Sequence, residues 1–264
     1  MSVLVNLGCG ARLHPEWINL DVSPVNPAVR RWDLKRGLPF TERSVDGIFC
    51  SHVLEHLEPA EGARLMRECA RVLRSGGTIR FGVPDLEQLA VQYLTALRES
   101  RAGVPGASDR YEWAVMELLD QLVRHRSGGR FGELFSREEL PVLDHAVSRW
   151  GAEALDLREA MVAKQFRPQP HRLSLLRKVA RKAKSIIRPD GMEDRVGRFR
   201  LGGEPHLWMY DSYSLGQLIS AAGFVDVREM PLLVSRIEGW EGYQLEGVVA
   251  PFKPDTVVVE GVAP

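Results

Sequence analysis

Between Val3 and about Pro84 the chain alternates short apolar, β-type runs with turns or helical patterns, and this alternation restricts its fold more than any other feature. The runs are Val3 to Leu7, Trp17 to Leu20, a weaker one near Val29 to Trp32, Val45 to Cys50, and Thr78 to Val83, and they end repeatedly in Gly, Asp or Ser. Continuous apolar runs of this length, separated by helical stretches, predict buried parallel strands, hence half of a doubly wound α/β domain. Between the last two runs Pro59 opens a helix. Its apolar residues Ala63, Leu65, Met66, Cys69, Ala70, Val72 and Leu73 keep a 3.6-residue period, and Gly76-Gly77 is expected to close it.

Residues from about 85 to 205 read differently. Helical patterns such as Glu112 to Arg126 and Ala152 to Phe166 are broken by Gly and Pro, with no convincing strand. Beyond them Ser212 to Ala222 reads as an amphipathic helix stopped by Gly223, Phe224 to Met230 as a strand, and Thr256 to Gly261 as another β-branched run. The expected organisation is a core formed by residues 1–84 and 206–264, with residues 85–205 as a mainly helical insertion.

Charge and cysteine usage narrow the function classes. Lys plus Arg number 35 and Asp plus Glu number 35, so the net charge is zero, which argues against a dedicated nucleic-acid binder. Cys9, Cys50 and Cys69 cannot all pair and no pair has metal-type spacing, so free thiols in a reducing compartment are expected. The start of the chain shows no basic leader, and no apolar run approaches the roughly 20 residues that span a bilayer. The simplest address is the cytoplasm.

The stretch Val5-Asn6-Leu7-Gly8-Cys9-Gly10 takes an apolar strand into a turn with two glycines one residue apart. Glycine there permits positive φ and close approach of a ligand to the backbone, although a plain tight turn has the same look. The next run ends in Asp21, placed to accept from both hydroxyls of a ribose, and the third segment offers Asp33-Leu34, a carboxylate followed by a backbone N–H that suit an adenine edge. Each alone also reads as a strand-end turn residue; in that order they point to a nucleoside.

These residues resemble the class I S-adenosylmethionine-dependent methyltransferases. The resemblance extends to Val45 through Ser51-His52-Val53-Leu54-Glu55-His56, similar to the fourth strand and active-site turn, to Val72-Leu73-Arg74-Ser75-Gly76-Gly77-Thr78, and to Leu215 through Ala221-Ala222-Gly223-Phe224. It implies a Rossmann-like doubly wound, mostly parallel seven-stranded sheet with the helical insertion after the fifth strand. It also implies S-adenosylmethionine as cofactor and S-adenosylhomocysteine as product, with Asn6, Gly8, Gly10, Arg12, Asp21, Asp33, Leu34 and Ser51 around the cofactor. Two departures stand out. Only six residues, Ala11 to Glu16, separate Gly10 from Trp17, so the first helix must be very short or replaced by a turn, leaving Arg12 or backbone N–H groups to face the cofactor's carboxylate. The third glycine of a dinucleotide fingerprint is absent, which disfavours NAD or FAD.

Methyl transfer to a hydroxyl needs alignment and a general base. His52 is the first candidate base because it follows the fourth strand at the carboxyl edge of the sheet; His206 is second, where the insertion rejoins the core, and His145, beside Asp144, is third. Asp85 and Tyr210 are expected to contact the acceptor, with helix capping the alternative for Asp85. His52, Asp85, Asp144 and His145 leave a divalent ion open, but no ligand spacing supports it, so no metal is assigned. The expected acceptor is a saccharide or other sugar-containing metabolite, a reading that rests on family likeness. Tyr111, Trp113, Phe131, Phe135, Trp150 and Phe166 offer either sugar-stacking faces or an ordinary helical core. A basic stretch over residues 172–188 offers a peripheral contact to anionic membrane or phosphate, or a solvated face, and homo-oligomerisation is left open. The rivals are a polyketide or amine methyltransferase, a catalytically silent methyltransferase-like adaptor and, disfavoured by the neutral net charge but kept open by the basic run from Arg172 to Arg200, an RNA methyltransferase.

Overall fold

In a computed structural model of the chain, residues 2–140, 142–166, 191–247 and 253–264 are described. The basic stretch at 172–188 lies outside them. Seven strands form one sheet: β1 (Leu4–Leu7), β2 (Trp17–Asp21), β3 (Arg30–Arg31), β4 (Val45–Ser51), β5 (Leu73–Pro84), β6 (Val225–Met230) and β7 (Thr256–Val262), in the order β3-β2-β1-β4-β5-β7-β6. β1 to β5 run parallel, while β7 lies antiparallel to both β5 and β6. The strand order reverses between β1 and β4, and in open α/β sheets that point makes a crevice at the carboxyl ends where ligands bind.

The helix α1 (Pro59–Val72) starts with Pro and a capping box in which Glu58 and Glu61 satisfy each other's backbone N–H groups. It ends at Val72, four residues before Gly76. Leu73 already pairs with Val45, so the two glycines belong to the irregular start of β5 and do not close the helix as expected. Gly8 to Glu16 crosses from β1 to β2 through turns alone, as the six-residue spacing requires. Side-chain bonds replace the missing helix: buried Asn6 donates to the Arg12 carbonyl (2.9 Å) and to Asn19 Oδ1 (3.0 Å), and Asn19 donates to the His14 carbonyl (2.9 Å).

Alternation along the strands sends Val5, Leu7, Ile48, Ile79 and Phe81 to one face, where they pack with α1 and with α8 (Ser212–Ala221) in the main core. The opposite face carries Leu4, Trp17 and Phe49, covered by Ile237, Leu245 and Trp240 from the segment after β6, which includes the short helix α9 (Trp240–Tyr243). Among the described residues six further helices lie between β5 and α8: α2 (Leu86–Arg101), α3 (Ala107–Val123), α4 (Gly129–Phe135), α5 (Leu143–Trp150), α6 (Ala152–Phe166) and α7 (Met192–Arg200). They have an aromatic core of their own built on Trp113, Phe131 and Phe135, with Trp150 packed against it. Among the described residues no helix is long and apolar enough to cross a membrane.

Candidate active site

Gly8 and Gly10 both adopt positive φ (64° and 53°). A Cβ on Gly8 would lie 2.2 Å from Val53 Cγ2, so this glycine allows the turn to pack on the residue after His52. Gly10 has no atom within 4 Å of where its Cβ would be, so its backbone faces open space. Asp21 ties the turn down, accepting from the Gly10 N–H (2.9 Å) at Oδ2 and from the Ser23 N–H (2.7 Å) at Oδ1. Each oxygen keeps a second lone pair for a ligand hydroxyl. Asp33 caps the single 3-10 turn Leu34–Arg36 through the Lys35 N–H, leaving the Leu34 N–H outside the turn's own hydrogen bonds. Arg12 lies in the field of Glu153 and Asp156 on α6.

A residue away from Ser51, His52 holds φ at 55°, a left-handed conformation that few non-glycine residues adopt and that concentrates at functional sites. Its N–H donates to the Gly82 carbonyl (2.9 Å). The ring is pinned on both sides: Nδ1 lies 3.2 Å from Glu55 Oε1 and Nε2 lies 2.8 Å from Thr256 Oγ1. Glu55 is almost wholly buried, and the ionic contact with His52 falls off the hydrogen-bond direction, so neither carboxylate oxygen has a hydrogen-bond partner. Burial alone would raise this carboxyl; the contact and charge of His52, helped by the other two imidazoles, hold it down to about 2. His206 moves for the opposite reason. Burial, opposed in part by Glu55, lowers it to about 3, so its ring is neutral near pH 7.

His52, Glu55, His56 and His206 share one wall of a cavity of about 410 Å³. α3, α4, α5 and α6 supply the opposite wall, including Glu117, Phe131, Trp150 and Glu153, and the segment before β7 adds Lys253 and Asp255. The cavity therefore lies between the carboxyl edge of the sheet and the helices that follow β5. Arg124 at its rim is paired with Asp120 (3.0 Å) and Glu204 (3.1 Å), and Lys253 with Glu153 (3.0 Å).

Three expected site residues lie elsewhere. His145 packs its ring against Trp113, 5.7 Å between centroids, in a groove with Gln92 and Thr95 apart from this cavity; the Asp144-His145 neighbourhood in sequence does not bring it to the sheet edge. Tyr210 is 4% exposed and belongs to the main core, where burial raises its hydroxyl to about 12, so it has no face for an acceptor. Asp85 caps α2, accepting from the Glu87 N–H (3.0 Å), the capping alternative of the sequence reading. Conversely, Glu55, His56, Thr256 and Asp255 were not singled out. Glu55 and His56 stand in the quoted motif, but nothing near them in sequence shows that His206, 150 positions further on, lies beside them.

Residues 6–81 match the family model described as a methyltransferase domain. This stretch matches a methyltransferase domain, and the seven-stranded, mostly parallel sheet that contains it is consistent with the Rossmann-like methyltransferase fold. No curated protein matches the chain in sequence. Among solved structures, a chain in the complex with the Haloferax volcanii Trm112 methyltransferase activator aligns with 100% of this chain and 82% of its own (12% identity, TM-score 0.40). An S-adenosylmethionine-dependent methyltransferase from Archaeoglobus fulgidus aligns with 99% of this chain and 86% of its own (12% identity, TM-score 0.39). Another from Mesorhizobium loti aligns with 31% and 47% (25% identity, TM-score 0.25). Likeness this slight says nothing about an acceptor. The cofactor of a methyltransferase domain is S-adenosylmethionine, and the open backbone at Gly10 beside the Asp21 carboxylate fits its nucleoside.

Proposed function

We propose that the protein transfers a methyl group to a hydroxyl of a saccharide or other sugar-containing metabolite, with His52 as general base. S-adenosylmethionine supplies a methyl group already activated on a sulfonium. Asp21 would accept from the ribose hydroxyls, while Asp33 and the Leu34 N–H face the adenine. The Gly8–Gly10 turn, with Asn6 and Asp21 fixing its shape and Arg12 and Ser51 beside it, leaves room for the methionine part. The helices between residues 85 and 205 act as the acceptor-shaping insertion, and Phe131 and Trp150 present ring surface among polar groups, a mixture that suits a sugar.

The observation that carries this reading is the His52–Glu55 contact at the cavity wall. Ionised Glu55 favours the tautomer with the proton on Nδ1, which leaves Nε2 as the basic nitrogen. Thr256 shows that a hydroxyl reaches Nε2 at 2.8 Å, and an acceptor hydroxyl takes over that hydrogen bond and gives up its proton there. The enclosing helices hold the acceptor in line and exclude water, which is most of what a methyl displacement requires.

The test combines calorimetry with an acceptor screen beginning with saccharides. S-adenosylhomocysteine binds wild type and His52→Ala alike and is lost with Asp21→Ala; turnover of a hydroxyl acceptor falls by about 10²-fold or more in His52→Ala. Failure of either nucleoside to bind wild type overturns the enzyme reading in favour of a silent adaptor. An amine acceptor is the second reading, favoured by Asp255 at the cavity wall, whose Oδ1 is buried without a hydrogen-bond partner. In that case His52→Ala retains its rate above the amine's pKa.

A further inference from the structure

Glu55, His56 and His206 each offer a ligand atom, and these atoms all lie within 4.8 Å of one another. We infer that the three residues bind one divalent first-row metal ion of the zinc type at the wall of the cavity, with an open coordination position facing the acceptor.

Four features besides proximity lead to this. First, both Glu55 oxygens and His206 Nδ1 are buried without a hydrogen-bond partner. A buried polar atom without a partner is destabilising, and a cation at this cluster would supply one. Second, His56 Nδ1 lies 3.1 Å from the Pro205 carbonyl. A carbonyl only accepts, so the proton is on Nδ1 and the Nε2 lone pair is available, the arrangement that orients metal-binding histidines generally. Third, the ligands are tied to one another by the backbone. Glu55 and His56 are consecutive on a 3-10 turn, and the Glu55 carbonyl accepts from the Leu207 (2.7 Å) and Trp208 (3.2 Å) N–H groups, which fixes the strand of chain carrying His206 beside it. The two imidazoles already meet edge to face, 4.9 Å between centroids. Fourth, the charge is right: one carboxylate with two imidazoles, while the nearby cations Arg124 and Lys253 are paired with their own carboxylates.

Two imidazoles and a carboxylate suit zinc and its neighbours better than magnesium or calcium, which take oxygen ligands. Three protein ligands leave a position for water or substrate, the pattern of catalytic sites as opposed to closed structural ones. For its chemical purpose the inference rests on the proposed methyl transfer: an ion there would hold the acceptor hydroxyl and make it more acidic beside His52. Binding of the ion does not depend on that reading.

The full-length protein is stripped with a chelator and titrated with zinc(II) by calorimetry and with cobalt(II) by visible absorption. One ion per chain and a rise in melting temperature are expected. His56→Ala and His206→Ala each weaken binding by at least about 10- to 100-fold, while exposed His125→Ala leaves it unchanged. Circular dichroism confirms that each variant is folded, and the wild-type cobalt spectrum, showing nitrogen and oxygen ligation, stands without any variant. No ion bound, or binding insensitive to both folded variants, overturns the inference. A parallel S-adenosylhomocysteine titration separates the two questions: nucleoside binding without metal binding removes the metal and leaves the methyltransferase reading, whereas metal binding alone supports the site and removes the chemistry assigned to it.

Discussion

Asp85 shows how one residue type serves two readings until its neighbours are known. It stands at the carboxyl end of β5, where an acceptor is bound in an open α/β sheet, yet its carboxylate is spent on the Glu87 N–H at the start of α2. Asp85→Ala should therefore remove a cap, costing about 1 kcal/mol and a few degrees of melting temperature, with kcat and acceptor KM unchanged. Thermal melts beside steady-state kinetics decide it, and a raised KM with an unchanged melt would restore Asp85 to the acceptor site. Glycine, Asp21 and Asp33 were legible because their task is local: positive φ and strand-end capping are written within a few positions of each residue. The histidines were only half legible. His52 follows its strand directly, but nothing within ten residues of His145 says that its helix turns it away from the sheet.

At the scale of elements, the strands and four of the described helices, α1, α3, α6 and α8, followed from periodicity, and α6 spans Ala152–Phe166 as expected. What covers the second face of the sheet did not follow. There the buried Arg80 of β5 pairs with Glu246 (2.6 Å) and with Glu260 of β7 (2.8 Å), under the Trp240 ring. An arginine inside an apolar strand has no local explanation; it needs two carboxylates brought from about 170 positions away. Burial alone would raise Glu260, but hydrogen bonds from Ser235, Arg236 and Arg80 lower it below the 4.5 of an exposed glutamate. A carboxylate with a depressed folded value contributes stability above its unfolded value and loses it as pH falls through the folded one. The melting temperature should thus drop as pH falls below about 4.5, and Glu260→Gln, already less stable at neutral pH, should drop less. Equal drops in the two proteins, followed by calorimetry across that range, would show that Glu260 contributes nothing to acid lability.

For the molecule as a whole, the proposed function divides the work: the sheet edge near Gly10 and Asp21 would face the nucleoside, and the helices after β5 would enclose the acceptor. Leu157 on α6 lines the cavity and is only half-buried. Leu157→Trp should fill the acceptor space and lower kcat/KM by about tenfold or more, because misplacing a reactant by about 1 Å costs a hundredfold. S-adenosylhomocysteine affinity and the melting temperature should hardly move; a matching loss of nucleoside affinity would place both ligands in one space. The sequence by itself determined the succession of strands, four of the helices, the glycine turn and the positions of Asp21, Asp33 and His52 beside strand ends, because each depends on backbone preference or hydrophobic period over a short window. Only the tertiary structure decided that Glu55, His56 and His206 converge, that Tyr210 is core, and that Arg80 has partners, because each depends on which distant surfaces the sheet and its helices bury against one another.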